Sequence, residues 1–159
     1  MPFKPFTISV GNNLYLSVLS VFVLFAAAFI VFQQSREKQY KIDSLNIRLQ
    51  DYNARMEDWL QERPMPLEEE LDSYVATHAM PELRVTLINR QGKVIYDSRL
   101  KDYSQLPNHL SRPEVKKAVT TGSGSTVERN STTLNDYFFY SATRFNANGL
   151  IIRSALPYD

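Results

Sequence analysis

Leu14 to Phe32 reads LYLSVLSVFVLFAAAFIVF, a run of nineteen residues without a charge in a chain of 159 residues. At about 1.5 Å of helical rise per residue it spans roughly 28 Å, close to a hydrocarbon core of about 30 Å. Lys4 is the last charge before the run and Arg36 the first after it, with Asn12 and Asn13 in front and Gln33, Gln34 and Ser35 behind. The competing reading is a cleaved signal peptide with Ala26-Ala27-Ala28 as its small-residue site. Phe29-Ile30-Val31-Phe32 carries the apolar run past those alanines, which favours a membrane anchor. Charge does not set the orientation. Arg36, Lys38 and Lys41 outnumber Lys4, and the positive-inside rule would place their side in the cytoplasm, yet long domains translocate largely regardless of such charges.

All 17 acidic residues and 17 of the 18 basic ones lie at or beyond Arg36, so the net charge of +1 comes from Lys4 and the rest of the chain balances. That balance excludes an ordinary basic nucleic-acid binder. The absence of Cys excludes a disulfide framework, thiolate metal sites and a Cys nucleophile.

Beyond the anchor, Ile42, Leu45, Leu49, Tyr52, Met56 and Trp59 follow one another at spacings of three, four, three, four and three. This is an a/d seam on a helix whose other positions, among them Asp43, Arg48, Asp51, Arg55, Glu57 and Asp58, suit a solvated face. No Pro or Gly falls between Leu14 and Gln61. One helix of roughly 70 Å is therefore possible from the anchor onward. Two readings of the seam stay open: packing on the chain's own globular domain, or a parallel homodimer; both can hold at different heights. Pro64-Met65-Pro66 stops the helix, since each Pro lacks an N–H and disfavours helix before it. A short helix then reads Leu67 to Ala79, with Glu68-Glu69-Glu70 at its positive dipole end and Leu71, Tyr74, Val75 and His78 on one face.

From Pro81 the pattern turns to strands. Arg84–Asn89 and Lys93–Ser98 flank Arg90-Gln91-Gly92, a hairpin signal. Lys101 to Leu110 is a polar loop of a length often used for function. Ser111-Arg112-Pro113-Glu114 reads as a capping box with Pro in the first turn, and Val115, Ala118 and Val119 give that helix its apolar face. Ser125–Ser131 reads as a polar edge strand, Asp136–Thr143 as an aromatic central strand, and Leu150–Leu156 as a fifth strand after an Asn146–Gly149 turn. These elements predict an α+β fold: an antiparallel five-stranded sheet with short helices on one face.

Val85–Ile88, Gly92–Ser98, Asn108-His109-Leu110-Ser111-Arg112-Pro113-Glu114-Val115, the aromatic strand and Arg153–Pro157, in that order, resemble the extracytoplasmic sensor of bacterial membrane histidine kinases of the phosphate-regulon type. Asn89, where the family usually has Asp, and Thr143-Arg144-Phe145, where it usually ends in an apolar residue and Pro, depart from the pattern. The resemblance implies a PAS-like (single Cache) sensor domain in a two-component system at the bacterial inner membrane. Its layout would be a cytoplasmic N-terminus at 1–13, a transmembrane helix at 14–32, a juxtamembrane dimerisation helix at 33–63 and an extracytoplasmic domain at 64–159. It also implies a parallel homodimer, a small ligand or periplasmic protein as signal, and kinase domains after residue 159.

No catalytic motif stands in the sequence. His78 and His109 lie far apart with no metal-ligand spacing around them, and no nucleophile elbow, P-loop or dinucleotide-binding loop occurs. No cofactor is expected, and this stretch is not expected to phosphorylate anything itself. The candidate sensing surface is the sheet face under the long loop. Tyr96, Asp97, Ser98, His109, Arg112, Arg129, Tyr137 and Tyr140 are the groups that alternation and loop position could gather there. Each has a plain structural reading beside it: Arg112 pairing with Asp97, His109 capping or packing, the tyrosines filling the core. His109 is also a candidate proton sensor. Asn130-Ser131-Thr132 matches a glycosylation sequon by a common chance pattern. Competing functions are the same module in a chemoreceptor or nucleotide cyclase, and a membrane-anchored adaptor that binds a protein. A hydrolase has no residues to support it.

Overall fold

The computed structural model describes residues 10–63, 66–129 and 137–158. Pro64, Met65, the Asn130-Ser131-Thr132 sequon and the inner ends of the third and fourth predicted strands lie outside the described residues, as do the first nine residues of the proposed cytoplasmic N-terminus. The chain divides into two compact units with the boundary between Lys41 and Ile42. The first holds the apolar run, in helical conformation with its large side chains from Leu14 to Phe32 exposed. Helix α1 (Val10–Gln61), to which this run belongs, is long and apolar enough to cross a bilayer.

The second unit is an α+β domain. After α1 come α2 (Glu68–Thr77), β1 (Arg84–Ile88), β2 (Val94–Asp97), α3 (Pro113–Thr121), β3 (Ser123–Arg129), β4 (Tyr137–Arg144) and β5 (Ile151–Pro157), with a 3₁₀ turn at His109–Ser111. All strand pairs are antiparallel, in the order β2-β1-β5-β4-β3. The centre of the sheet is therefore β5, whose residues from Ile151 to Leu156 are all buried, and not the aromatic β4. Aromatic content does not decide centrality here. β5 is flanked by both β1 and β4, whereas β4 carries the polar edge strand β3 on its other side.

Helices cover both faces of the sheet, not one. Leu49, Tyr52, Met56 and Leu60 of α1 and Leu71 and Tyr74 of α2 form one core with Val85, Leu87, Tyr96, Phe139, Ile152 and Leu156. Val115 and Ala118 of α3 form a second core with Ile88, Val94, Ala142 and Ile151, roofed by Tyr103, Leu106 and Leu110 of the long loop. Strand alternation sends neighbouring residues of β1, β4 and β5 to opposite faces, which is why both cores draw on the same strands. The strongly buried run of β5 has the same cause, since a strand covered on both sides has no polar alternation to show.

Local chemistry explains the element ends. Asn89 organises the β1–β2 turn: its Oδ1 accepts from the N–H groups of Gln91 and Lys93 at 3.0 and 2.9 Å. Gly92 closes that turn at φ 82°, and a Cβ there would collide with Asn108 and Leu110 of the loop packed over it. At α2, Glu70 reaches back to accept from the Leu67 N–H at 2.7 Å. The capping box predicted at Ser111 does not form. Arg112 is the N-cap of α3, with no side-chain cap bond, Pro113 follows it, and Glu114 turns inward.

Candidate functional site

The sheet face under α3 and the loop carries a buried lattice of charge. Asp97, at the end of β2, has a side chain fully removed from solvent. Arg84 on β1 grips it with two nitrogens, Nη2 to Oδ2 at 2.9 Å and Nε to Oδ1 at 3.2 Å, and Thr86 Oγ1 donates to Oδ2 at 2.9 Å. The backbone N–H groups of Arg99 and Leu100 donate to Oδ1 at 3.0 and 3.2 Å. Asp97 therefore fixes the start of the long loop, and its partner is Arg84, not Arg112. Arg112 faces Glu128 on β3 at 3.9 Å, a half-exposed pair.

One strand further in, Arg153 of β5 donates through Nε to Glu114 of α3, with both side chains buried. The Arg153 guanidinium also lies over the Tyr140 ring, 4.0 Å from its centroid. Glu114 Oε2 has no partner among the described residues. The three arginines of this face, Arg84, Arg112 and Arg153, thus each meet one carboxylate. For Arg153, the buried one of the three, the paired carboxylate is what permits burial, since an unpaired ion in a low dielectric is costly.

His109 is buried at the mouth of this lattice, where the loop enters its 3₁₀ turn. Its N–H donates to Gly92 O at 2.9 Å, and ring Nδ1 lies 2.7 Å from Pro107 O. A carbonyl only accepts, so Nδ1 carries the proton. Burial pushes the imidazole below its ordinary range; Arg153, Arg112 and Arg84 add to the shift, and the Pro107 bond opposes it.

Of the eight candidates, the structure brings Asp97, His109, Arg112 and Tyr140 to this face. Tyr96 stands on the opposite one. Its hydroxyl donates to Asp72 Oδ1 of α2 at 2.8 Å, while Lys101 Nζ holds Asp72 Oδ2 at 2.9 Å. Burial, then the Asp72 carboxylate, pushes the Tyr96 hydroxyl up, and the bonds from Lys101 and Tyr96 hold Asp72 down. Ser98 Oγ accepts from the Val85 N–H at 2.9 Å, a structural tie. Tyr137 is exposed near the end of β4. The side chain of Arg129 lies outside the described residues. Among those described, no group of three or more His, Asp or Glu comes together at metal-binding range.

Two buried members of the lattice, Glu114 and Arg153, lie outside the sequence candidates. Glu114 has the sequence pattern of a cap, because Ser111 precedes it by three. Arg153 is the one charge in β5, and that isolated charge in a buried run is its signal in the sequence.

On the other face, the helical seam meets the sheet. Leu49, Tyr52 and Met56 are buried in the chain's own core, and Ile42, Leu45 and Trp59 pack partly against it. Asn53, also buried, donates through Nδ2 to Ile152 O and to Thr143 Oγ1, both at 3.2 Å. Ser141 Oγ donates to Asn46 Oδ1 at 2.9 Å. Strand β5 thus carries Arg153 toward α3 and Ile152 toward α1.

No protein-family model and no curated protein matches the chain. Among solved structures, the extracellular domain of rpHK1S-Z16, a protein assigned as a histidine kinase, is similar with 16% identity and a TM-score of 0.43. The match covers 58% of this chain and 38% of that one, so the chain spans well under two thirds of its length. A likeness at that level carries no functional argument.

Proposed function

We propose that this chain is the signal-input region of a bacterial membrane sensor of the two-component histidine-kinase type, of the phosphate-regulon kind its sequence resembles. Residues after about 33 lie outside the cytoplasm in this reading, and two copies work as a parallel homodimer. The observation that carries it is that one helix, α1, contains both a membrane-length apolar run and a wall of the sensor core. A cue that shifts α3 or the long loop moves Arg153; its neighbour Ile152 then moves the Asn53 contact on α1. Small helix displacements of this kind are an established switching mode.

The test is a chimera in which residues 1–159 drive the output domains of a well-behaved reporter histidine kinase in membranes. Asn53→Ala and Glu114→Gln are expected to change basal phosphorylation while the protein level stays constant. Output indifferent to both, with a partner protein still captured by the sheet domain, would replace the sensor reading with the adaptor one.

A further inference from the structure

A separate crevice of about 290 Å³ opens where α3 meets the ends of two hairpins, lined by Arg90, Leu110, Val119, Arg144, Gly149 and Ile151. No residue of Asp or Glu lines it. The two arginines differ from the three in the lattice in what holds them. Arg90 Nε donates to Asn148 O at 3.0 Å, and Arg144 Nη1 donates to Val119 O at 2.9 Å. Each guanidinium is fixed by a main-chain carbonyl, which orients it without neutralising it. Both Nη groups of Arg90, and Nε and Nη2 of Arg144, keep donors without a partner among the described residues.

The seat of Arg90 is built into the backbone. Gly149 turns at φ 69°, and a Cβ on it would collide with the Arg90 side chain lying across it. Leu110, Val119 and Ile151 supply apolar walls, beside which a charge-assisted bond is less screened than in open water. Two planar forks suit one carboxylate, which each can hold through paired N–H groups. The walls offer no further donors of the kind a heavily hydrated dianion would need, but they do match an apolar body.

We infer that this crevice binds a small organic carboxylate carrying an apolar body. The claim goes beyond the sensor reading and concerns binding alone, so it stands or falls whether or not the chain signals.

The test is calorimetric titration of the full chain in zwitterionic nanodiscs, with empty nanodiscs as the blank and hexanoate, hexanamide and inorganic phosphate as probes. Hexanoate is expected to bind with a Kd below about 1 mM. Hexanamide, of the same shape without the charge, should bind at least about tenfold more weakly, as should hexanoate to Arg90→Gln and to Arg144→Gln. Arg48→Gln removes the same charge from α1 and should leave hexanoate binding unchanged. Arg90 is exposed, so Arg90→Gln decides the matter even if Arg144→Gln fails to fold. The inference is overturned if hexanoate shows no saturable heat up to about 10 mM, a concentration at which a useful site would be filled. It is equally overturned if Arg48→Gln weakens binding as much as Arg90→Gln, or if phosphate binds as tightly as hexanoate.

Discussion

Removing the carboxylate from the Arg153–Glu114 pair is the sharpest probe of the α+β core. Glu114→Ala leaves a guanidinium that is 6% exposed with no counter-ion. Breaking a buried pair by deleting one partner costs about 3–5 kcal/mol. The Tyr140 ring contact, with its centroid 4.0 Å from the guanidinium carbon, is present in both forms and cancels in the difference. A loss of about 3–5 kcal/mol follows, and at about 4 °C per kcal/mol for a domain of this size Tm should fall by about 12–20 °C. Trp59 is the single Trp of the chain and packs partly against the core, so its fluorescence reports the unfolding. Deleting both charges behaves differently, because a hydrophobic replacement of a buried pair is often neutral or stabilising. Glu114→Leu combined with Arg153→Met should recover most of the loss, with a coupling above about 2 kcal/mol in the double-mutant cycle. A Glu114→Ala loss below about 1 kcal/mol, or a double variant no better than the worse single one, would falsify the buried-pair account.

Three further outcomes are expected. His109 sits below its ordinary pKa among Arg153, Arg112 and Arg84, so the unfolded chain takes up its proton more readily than the folded one; stability should fall as pH drops through about 6.5, and His109→Gln should flatten that slope in thermal melts at stepped pH. Tyr96→Phe removes the bond to Asp72 and should cost about 1 kcal/mol while loosening Lys101 of the loop, visible as faster amide exchange near the start of the loop; unchanged exchange there would argue that α2 does not hold the loop. In the proposed dimer, contacts fall on the exposed stripe of Tyr40 and Ile47, which are seven apart, and not on buried Leu49. Single Cys at Tyr40 or Ile47 should therefore cross-link between chains in membranes, whereas Cys at Leu49 should not, and the opposite pattern would return the seam to the interface.

Local chemistry made much of the fold legible. The apolar run, the Asn89–Gly92 turn and the five β-rich segments are each set by residues within a few positions of one another, and each appears where its pattern lies. The period of the Ile42–Trp59 seam was equally plain, but a period states only that one helix face is apolar. That the face meets the chain's own sheet at Leu49, Tyr52 and Met56 depends on β5 and β4 arriving about a hundred positions later, with Ile152 O and Thr143 Oγ1 on Asn53.

The candidate site was half legible for the same reason. Asp97, His109, Arg112 and Tyr140 announce themselves as polar groups in or beside strand and loop patterns. Their partners do not, because ion pairing is decided by strand order. Placing β5 between β1 and β4 sets Arg153 beside Thr86 and Ala142 and beneath Glu114, thirty-nine positions away. Helices packed on both sides of the sheet bury β5 on both faces, while strand alternation alone parts Tyr96 from Asp97. Sequence by itself determined the long apolar helix, the strands and their turns, since these rest on hydropathy and near-neighbour sterics. Only the tertiary structure decided which carboxylate neutralises which arginine, and which arginines keep their donors, because burial and long-range register set those choices.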